Sequence, residues 1–212
     1  MERMKVIVIG ATGKMGAVAT RKLLADGHEV TAFARHPEAL DLADQNLHLH
    51  PGDATDAEAV AAAVAGHDAV VVVLGSGMKR RSTIRSAGTL NVIRAMQRHG
   101  VRRLVVQSTL GARESWGNLN FFWKRIMFGA YLRPVFLDHE LQERLVESSG
   151  LDWTIVRPAA FADGPETGVY MEDVKPEARG LRLKITKADI AAFLSRQLTE
   201  ATYLGRAVGI TG

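Results

Sequence analysis

The stretch Lys5-Val-Ile-Val-Ile-Gly-Ala-Thr-Gly-Lys-Met-Gly16 constrains this chain more than any other. Val6 to Ile9 is an unbroken β-branched run. It is too short for a helix and apolar on both faces, as a central parallel strand is. Gly10, Gly13 and Gly16 follow at three-residue spacing, and a helical pattern then begins. The first glycine permits a tight turn at the strand end. The second lets a phosphate approach the backbone, and the third lets helix and strand pack closely. The helix N-terminus adds unpaired N–H groups and the positive end of a dipole. A plain βα turn can also be glycine-rich. Here the flanking strand and helix are both present, and that context favours a dinucleotide-binding turn.

The 212 residues fit one α/β domain, so a single NAD(P)-binding unit over 1–212 is expected. No apolar run is long enough to span a bilayer, and no signal-peptide pattern opens the chain. Cysteine is absent, which excludes disulfides and thiolate chemistry and agrees with a cytoplasmic protein. Net charge is +4 with a pI near 9.6, but the basic residues are scattered and argue against a nucleic-acid surface. No set of metal ligands is assigned.

Strand and helix patterns alternate. Ala17 to Ala25 continues the first helix, followed by a strand over Glu29 to Ala34, a short helix over Glu38 to Asp44 and a strand over Leu47 to His50. Thr55 with Glu58 has the spacing of a capping box before an alanine-rich helix. A valine-rich strand over Asp68 to Leu74, a helix over Thr83 to His99, and strands over Arg102 to Gln107 and Trp153 to Val156 follow. Asp163 to Arg179 reads as a loop. Thr186 with Asp189 caps a helix reaching about Leu198, and Val208 to Thr211 forms a last strand. Six such repeats argue for a doubly wound parallel sheet with its ligand at the carboxyl ends of the strands.

Those ends carry the candidate residues. Arg35 stands where NAD-specific sites carry an acid, and a guanidinium pairs with a 2′-phosphate, so NADP(H) is expected. A solvated surface arginine is the bland alternative. Asp53, followed by Ala54, is either an acceptor for an adenine amino group or a turn aspartate. Leu74-Gly75-Ser76-Gly77 is either a close approach to adenosine and ribose or a flexible loop. Lys79, Arg80 and Arg81 read as a solvated loop face. Ser108-Thr109 can bond a carboxamide or a substrate carbonyl, or simply cap the strand. Pro158 ends the sixth strand.

The ordered set resembles the atypical short-chain dehydrogenase/reductase family, in its NAD(P)H-binding, NmrA-like branch. The likeness is greatest to the biliverdin-IXβ reductase/flavin reductase group. It covers nearly the whole chain. It rests on Gly10 to Gly16, Arg35, Gly52-Asp53, Leu74-Gly75, Ser108-Thr109, Asp138-His139 and Ser149 to Pro158. The resemblance implies a Rossmann fold using NADP(H). Gly10, Thr12, Gly13, Lys14, Met15 and Arg35 would hold the cofactor, with Asp53, Ala54, Leu74, Gly75, Ser108 and Pro158 completing its site. Thr109, His139 and Ser108 would stand near the reacting ring. The implied substrate is a small aromatic or conjugated molecule such as a flavin. His139 read alone is a surface histidine at a helix start.

One departure matters. Alcohol-dehydrogenase chemistry in the wider family uses Tyr-x-x-x-Lys. Tyr131, Tyr170 and Tyr203 are followed at that spacing by Val135, Val174 and Ala207. The pair that protonates an alkoxide is missing, which argues against epimerase or carbinol dehydrogenase activity. A hydride acceptor of flavin type needs no such pair. The loss equally suits a non-catalytic NADP(H) sensor that binds partner proteins, as the NmrA-type resemblance allows.

Leu119 to Leu137 is unusually aromatic and is interrupted by Lys124, Arg125 and Arg133, so it is no transmembrane span. As a helix it is apolar over more than one stripe. It is expected to line a substrate pocket, to form a homodimer contact or to meet a membrane surface; a fully buried core helix is the plain alternative.

Overall fold

The computed structural model describes residues 3–77 and 82–212. In chain order the elements are β1 (Lys5–Ile9), α1 (Lys14–Ala25), β2 (Glu29–Ala34), β3 (Leu47–Pro51), α2 (Ala57–Val64), β4 (Ala69–Val72), α3 (Ile84–His99), β5 (Arg103–Gln107), α4 (Arg133–Glu147), β6 (Asp152–Pro158), β7 (Ala160–Ala162), β8 (Lys184–Thr186), α5 (Lys187–Arg196) and β9 (Arg206–Ile210). Seven strands form one parallel sheet in the order β3-β2-β1-β4-β5-β6-β9. The expected doubly wound parallel sheet is therefore present. The chain crosses from one half of the sheet to the other after β3, which opens a crevice beyond the carboxyl ends of β1 and β4.

β1 is apolar on both faces because both are covered. Val6 and Val8 pack into the layer with α1 and α5, and Ile7 and Ile9 into the layer with α2 and α3. The same alternation runs through β4, where Val71 and Val70 divide between the two layers.

α1 begins at Lys14 with Gly13 as its N-cap, so Gly16 falls in its first turn as expected. Several local readings need correction. The short helix after β2 is a single 3₁₀ turn, Pro37–Leu40, ended by Asp41 in the left-handed region. Asp56, not Thr55, caps α2: its carboxylate accepts from the Glu58 and Ala59 N–H groups. Thr55 instead donates its hydroxyl to Asp53. Thr186 does cap α5, accepting from the Asp189 N–H. The two three-residue strands β7 and β8 pair in parallel outside the main sheet and are too short to leave a periodic signal.

The aromatic segment folds as a π-helix, Phe122–Tyr131, running directly into α4. Pro134 at the start of α4 marks the boundary, as its fixed φ and missing N–H allow only in a first turn. Trp116, Trp123, Phe128 and Phe136 pack together in a satellite cluster. Phe121, Phe122 and Ile126 are exposed, so this is not a fully buried core helix. Among the described residues no helix is long and apolar enough to cross a membrane.

Candidate functional site

The glycine turn is built as its spacing demands. Gly10 has φ +90°, and the Phe33 carbonyl accepts from both the Gly10 and Ala11 N–H groups, tying the turn to β2. A Cβ on Gly16 would lie 2.2 Å from the Gly10 carbonyl oxygen, so only glycine lets α1 begin this close to β1. No side chain caps α1 and no acid lies in its first turn. Its leading N–H groups therefore face the crevice with the positive end of the dipole, the arrangement that receives a diphosphate. Thr12, Gly13 and Lys14 are exposed at this mouth. Met15, the second residue of α1, buries its side chain in the core layer shared with α5, so its backbone N–H is what it can offer a ligand.

A cleft of about 610 Å³ opens over this turn. It collects Gly10, Thr12 and Gly13 from the turn and Arg35 from the end of β2. Asp53 and Ala54 join from beyond β3, and Leu74 and Gly75 from beyond β4. Asp53 performs the turn role: its Oδ1 accepts from the Thr55 N–H at 2.9 Å and the Thr55 hydroxyl at 2.8 Å. Those bonds, followed by the nearby Arg35 charge, hold its carboxyl below the usual carboxylate range. It thus lines the cleft as an anion. Gly52 is glycine for a packing reason, since a Cβ would lie 2.4 Å from the Phe33 ring. Gly75 is different. Its φ is not in the left-handed region and nothing lies within 4 Å of a Cβ there, so the fold alone does not ask for glycine. Close approach of a ligand would.

A second cavity, of about 40 Å³, lies at the neighbouring strand ends. Thr109 and Leu110 from β5, Pro158 and Ala159 from β6, and Trp123 and Phe128 from the π-helix enclose it. Thr109 contributes the one hydroxyl. Pro158 thus belongs here and not to the larger cleft. Ser108 lines neither space; it is 1% exposed and its hydroxyl has no partner.

Asp138 and His139 are also placed differently from expectation. Both are buried in the middle of α4, so His139 is not a surface residue at a helix start. Burial first, and the nearby Arg85 guanidinium second, push its titration down to about 3. It is a neutral imidazole at ordinary pH, unsuited to donating a proton near neutrality, and it lines neither cavity. Asp138 reaches across to α3. Its carboxylate accepts from the Arg85 and Ser86 N–H groups at 3.1 Å each and from the Ser86 hydroxyl at 2.5 Å. One helix thereby caps the other, and Arg85 is held with a nitrogen 3.7 Å from the same carboxylate and 3.3 Å from the Ser76 hydroxyl at the cleft.

Arg157 before Pro158 is structural. Its guanidinium, buried at the end of β6, pairs with Glu143 of α4 at 2.7 and 2.9 Å and with Glu114 at 2.5 and 3.3 Å. Sequence reasoning missed Phe33, Thr55, Ser82 and Ile84, which also line the cleft. Phe33 was readable as the last apolar residue before Ala34-Arg35; Ser82 and Ile84 carry no signal of their own. Lys79, Arg80 and Arg81 lie outside the described residues.

The sequence profile of the NAD(P)H-binding family matches residues 10–201. The chain belongs to that family. UPF0659 protein YMR090W of Saccharomyces cerevisiae is 29% identical over 209 residues, which is 93% of this chain and 88% of the yeast protein. YhfK of Bacillus subtilis, described as an uncharacterized sugar epimerase, is 28% identical over 98% of this chain and 94% of its own. Among solved structures, ChuY of Escherichia coli O157:H7, an anaerobillin reductase, superposes with a TM-score of 0.81 at 27% identity, covering 98% of this chain and 96% of that one. Family members similar to this chain are thus oxidoreductase-like and epimerase-like NAD(P)-binding proteins.

Proposed function

We propose that the chain is an NADPH-dependent reductase that passes a hydride to a flavin, a quinone or a related conjugated ring. The observation that carries this reading is the pairing of spaces. A cleft of about 610 Å³ over the glycine turn reaches the residues after β4, and beyond the neighbouring strands β5 and β6 lies a small apolar cavity whose one hydroxyl is Thr109. The leading N–H groups of α1 hold the diphosphate, and Arg35 pairs with the 2′-phosphate. Bound NADPH supplies the hydride. Thr109 orients the reacting ring by hydrogen bonding, and Trp123 and Phe128 stack on the acceptor and exclude water. No carboxylate, imidazole or ammonium group lines the small cavity, so water or Thr109 delivers the proton. That suits an acceptor reduced at an electron-poor ring atom and does not suit an alkoxide. ChuY is described as an anaerobillin reductase, and its likeness to this chain supports a reductase reading.

The competing reading is a non-catalytic NADP(H) sensor. The size of the second cavity favours it: about 40 Å³ is well below the roughly 300 Å³ at which small-molecule pockets begin. On the reductase reading the space must therefore widen when an acceptor ring binds. Steady-state NADPH oxidation with riboflavin, FMN and a panel of quinones separates the two. Turnover accompanied by quenching of Trp123 fluorescence supports the reductase. Tight NADPH binding with no turnover on any acceptor supports the sensor.

A further inference from the structure

Between Glu114 and Asp138 the chain has no acidic residue, while Lys124, Arg125 and Arg133 are basic. The π-helix in this stretch closes i→i+5 hydrogen bonds, as in Leu132 N–H to the Met127 carbonyl. Residues four or five apart therefore share a side. Phe122, Ile126 and Tyr131 fall on that spacing, and all three are exposed. Phe122 is 49% exposed and Ile126 51%, and Phe121, one residue before the helix, reaches 74%. Arg125 of the same helix and Arg133, the first residue of α4, are exposed as well. The opposite side of the same helix turns Trp123 and Phe128 inward. The aromatic content thus exceeds what the interior uses, and the surplus faces out among cations.

We propose that this face docks on an anionic lipid bilayer, with Phe121, Phe122 and Ile126 entering the headgroup region and Arg125 and Arg133 against lipid phosphates. Exposed rings and long basic side chains along one continuous stretch, here 121–133, are the composition that lies in a membrane interface. The charge pattern chooses between occupants. A two-fold dimer sets a patch against itself, so this one would bring cations to the contact from both sides. No carboxylate of the 115–137 stretch is there to neutralise them, and such desolvated like charges are unfavourable. A bilayer bearing anionic lipid supplies the counter-charge along its whole plane. The docking is peripheral, and it stands whether or not the chain turns over an acceptor.

The test is co-sedimentation of the full chain with vesicles of equal parts phosphatidylcholine and phosphatidylglycerol, beside vesicles of phosphatidylcholine alone. Wild type should pellet with the anionic vesicles at low salt and be released at high salt. Arg125→Glu/Arg133→Glu should lower the partition coefficient at least about tenfold. Phe121→Ser/Phe122→Ser/Ile126→Ser should abolish pelleting. Both variants should keep the wild-type NADPH affinity, because the altered side chains line neither cavity, and a melting curve checks that the triple variant stays folded once the Phe122 ring no longer packs 6.1 Å from Trp123. The proposal is overturned if wild type stays in the supernatant with anionic vesicles, or if the triple variant pellets as well as wild type. It is equally overturned if light scattering finds a dimer that the triple variant dissociates, since a second copy then covers the face.

Discussion

His139 offers a test of placement against role. The unfolded imidazole titrates near 6.5, whereas burial among α3 and α4 residues, with Arg85 adding repulsion, holds it at about 3 in the fold. Between those values the unfolded chain binds the extra proton, so this residue makes stability rise with pH and fall as the solution is acidified. Its stabilising share is complete above about pH 7 and is progressively lost on the way down to about pH 3. One pH unit in that window is worth about 1.4 kcal/mol, so acidifying from about pH 7.5 to about pH 5 removes about 2 kcal/mol through His139 alone. His28 and His67 are pushed down by burial as well and add slope of the same sign. The informative quantity is therefore the difference between wild type and His139→Gln. Urea unfolding followed by far-UV circular dichroism at the two pH values measures it. Wild type should lose about 2 kcal/mol more than the variant. Equal losses would mean that the imidazole takes its proton within the folded protein, as a working proton donor does, and would refute the buried, neutral assignment.

Three further substitutions probe the glycine turn, the coenzyme's phosphate and the buried ion pair. Gly16→Ala should lower stability by about 2–3 kcal/mol and weaken NADPH binding, because its Cβ would press on the Gly10 carbonyl; a thermal melt with and without NADPH reads both. Arg35→Asp should weaken NADPH by roughly a hundredfold and NADH by far less, since the lost charge-assisted bond is worth about 1.5–3 kcal/mol and repulsion adds to it; calorimetry with the two coenzymes would contradict the assignment if they lost equally. Arg157→Met should cost about 3–5 kcal/mol by stranding the fully buried Glu143 without its partner, and chemical denaturation should recover much of that loss in Arg157→Met/Glu143→Leu.

The sheet was legible because its strands are buried on both faces, so Val6 to Ile9 and the valine run of β4 stand out as unbroken apolar runs. Gly10 and Gly16 were legible because sterics leave no other residue there. The cleft followed from topology: Gly10, Arg35, Asp53 and Gly75 end successive strands and meet at one crevice. What failed to show in the sequence is what depends on pairing between helices. The residue that holds α3 is Asp138, some fifty positions away on α4, and no local pattern announces a cap donated by another helix. His139 read as exposed because a polar residue near a helix start usually is; the Arg85–Asp138 contact that buries it exists only after α3 and α4 pack. The π-helix was hidden for a related reason. Its composition signals an apolar helix, but i→i+5 bonding turns Phe122 and Ile126 outward, where an α-helical count leaves their direction open.

Gly75 is where fold and ligand can be told apart. A glycine that serves the fold either needs a positive φ or has a neighbour where its Cβ would go; Gly10 and Gly52 meet one condition or both. Gly75 meets neither, yet it lines the cleft immediately after the β4 segment. Adding a methyl group there should not hurt the free protein. It restricts the unfolded chain and so should raise stability by about 0.4–1 kcal/mol. If the adenosine half of the coenzyme passes over this backbone, the same methyl must weaken NADPH binding, by about tenfold for a loss near 1.4 kcal/mol. Gly75→Ala should therefore unfold at a higher urea concentration than wild type in the absence of coenzyme and gain less from saturating NADPH. A variant that is more stable and binds NADPH as tightly as wild type would show that the coenzyme does not pass over residue 75, and would displace the adenosine from the end of β4 while leaving the diphosphate on α1.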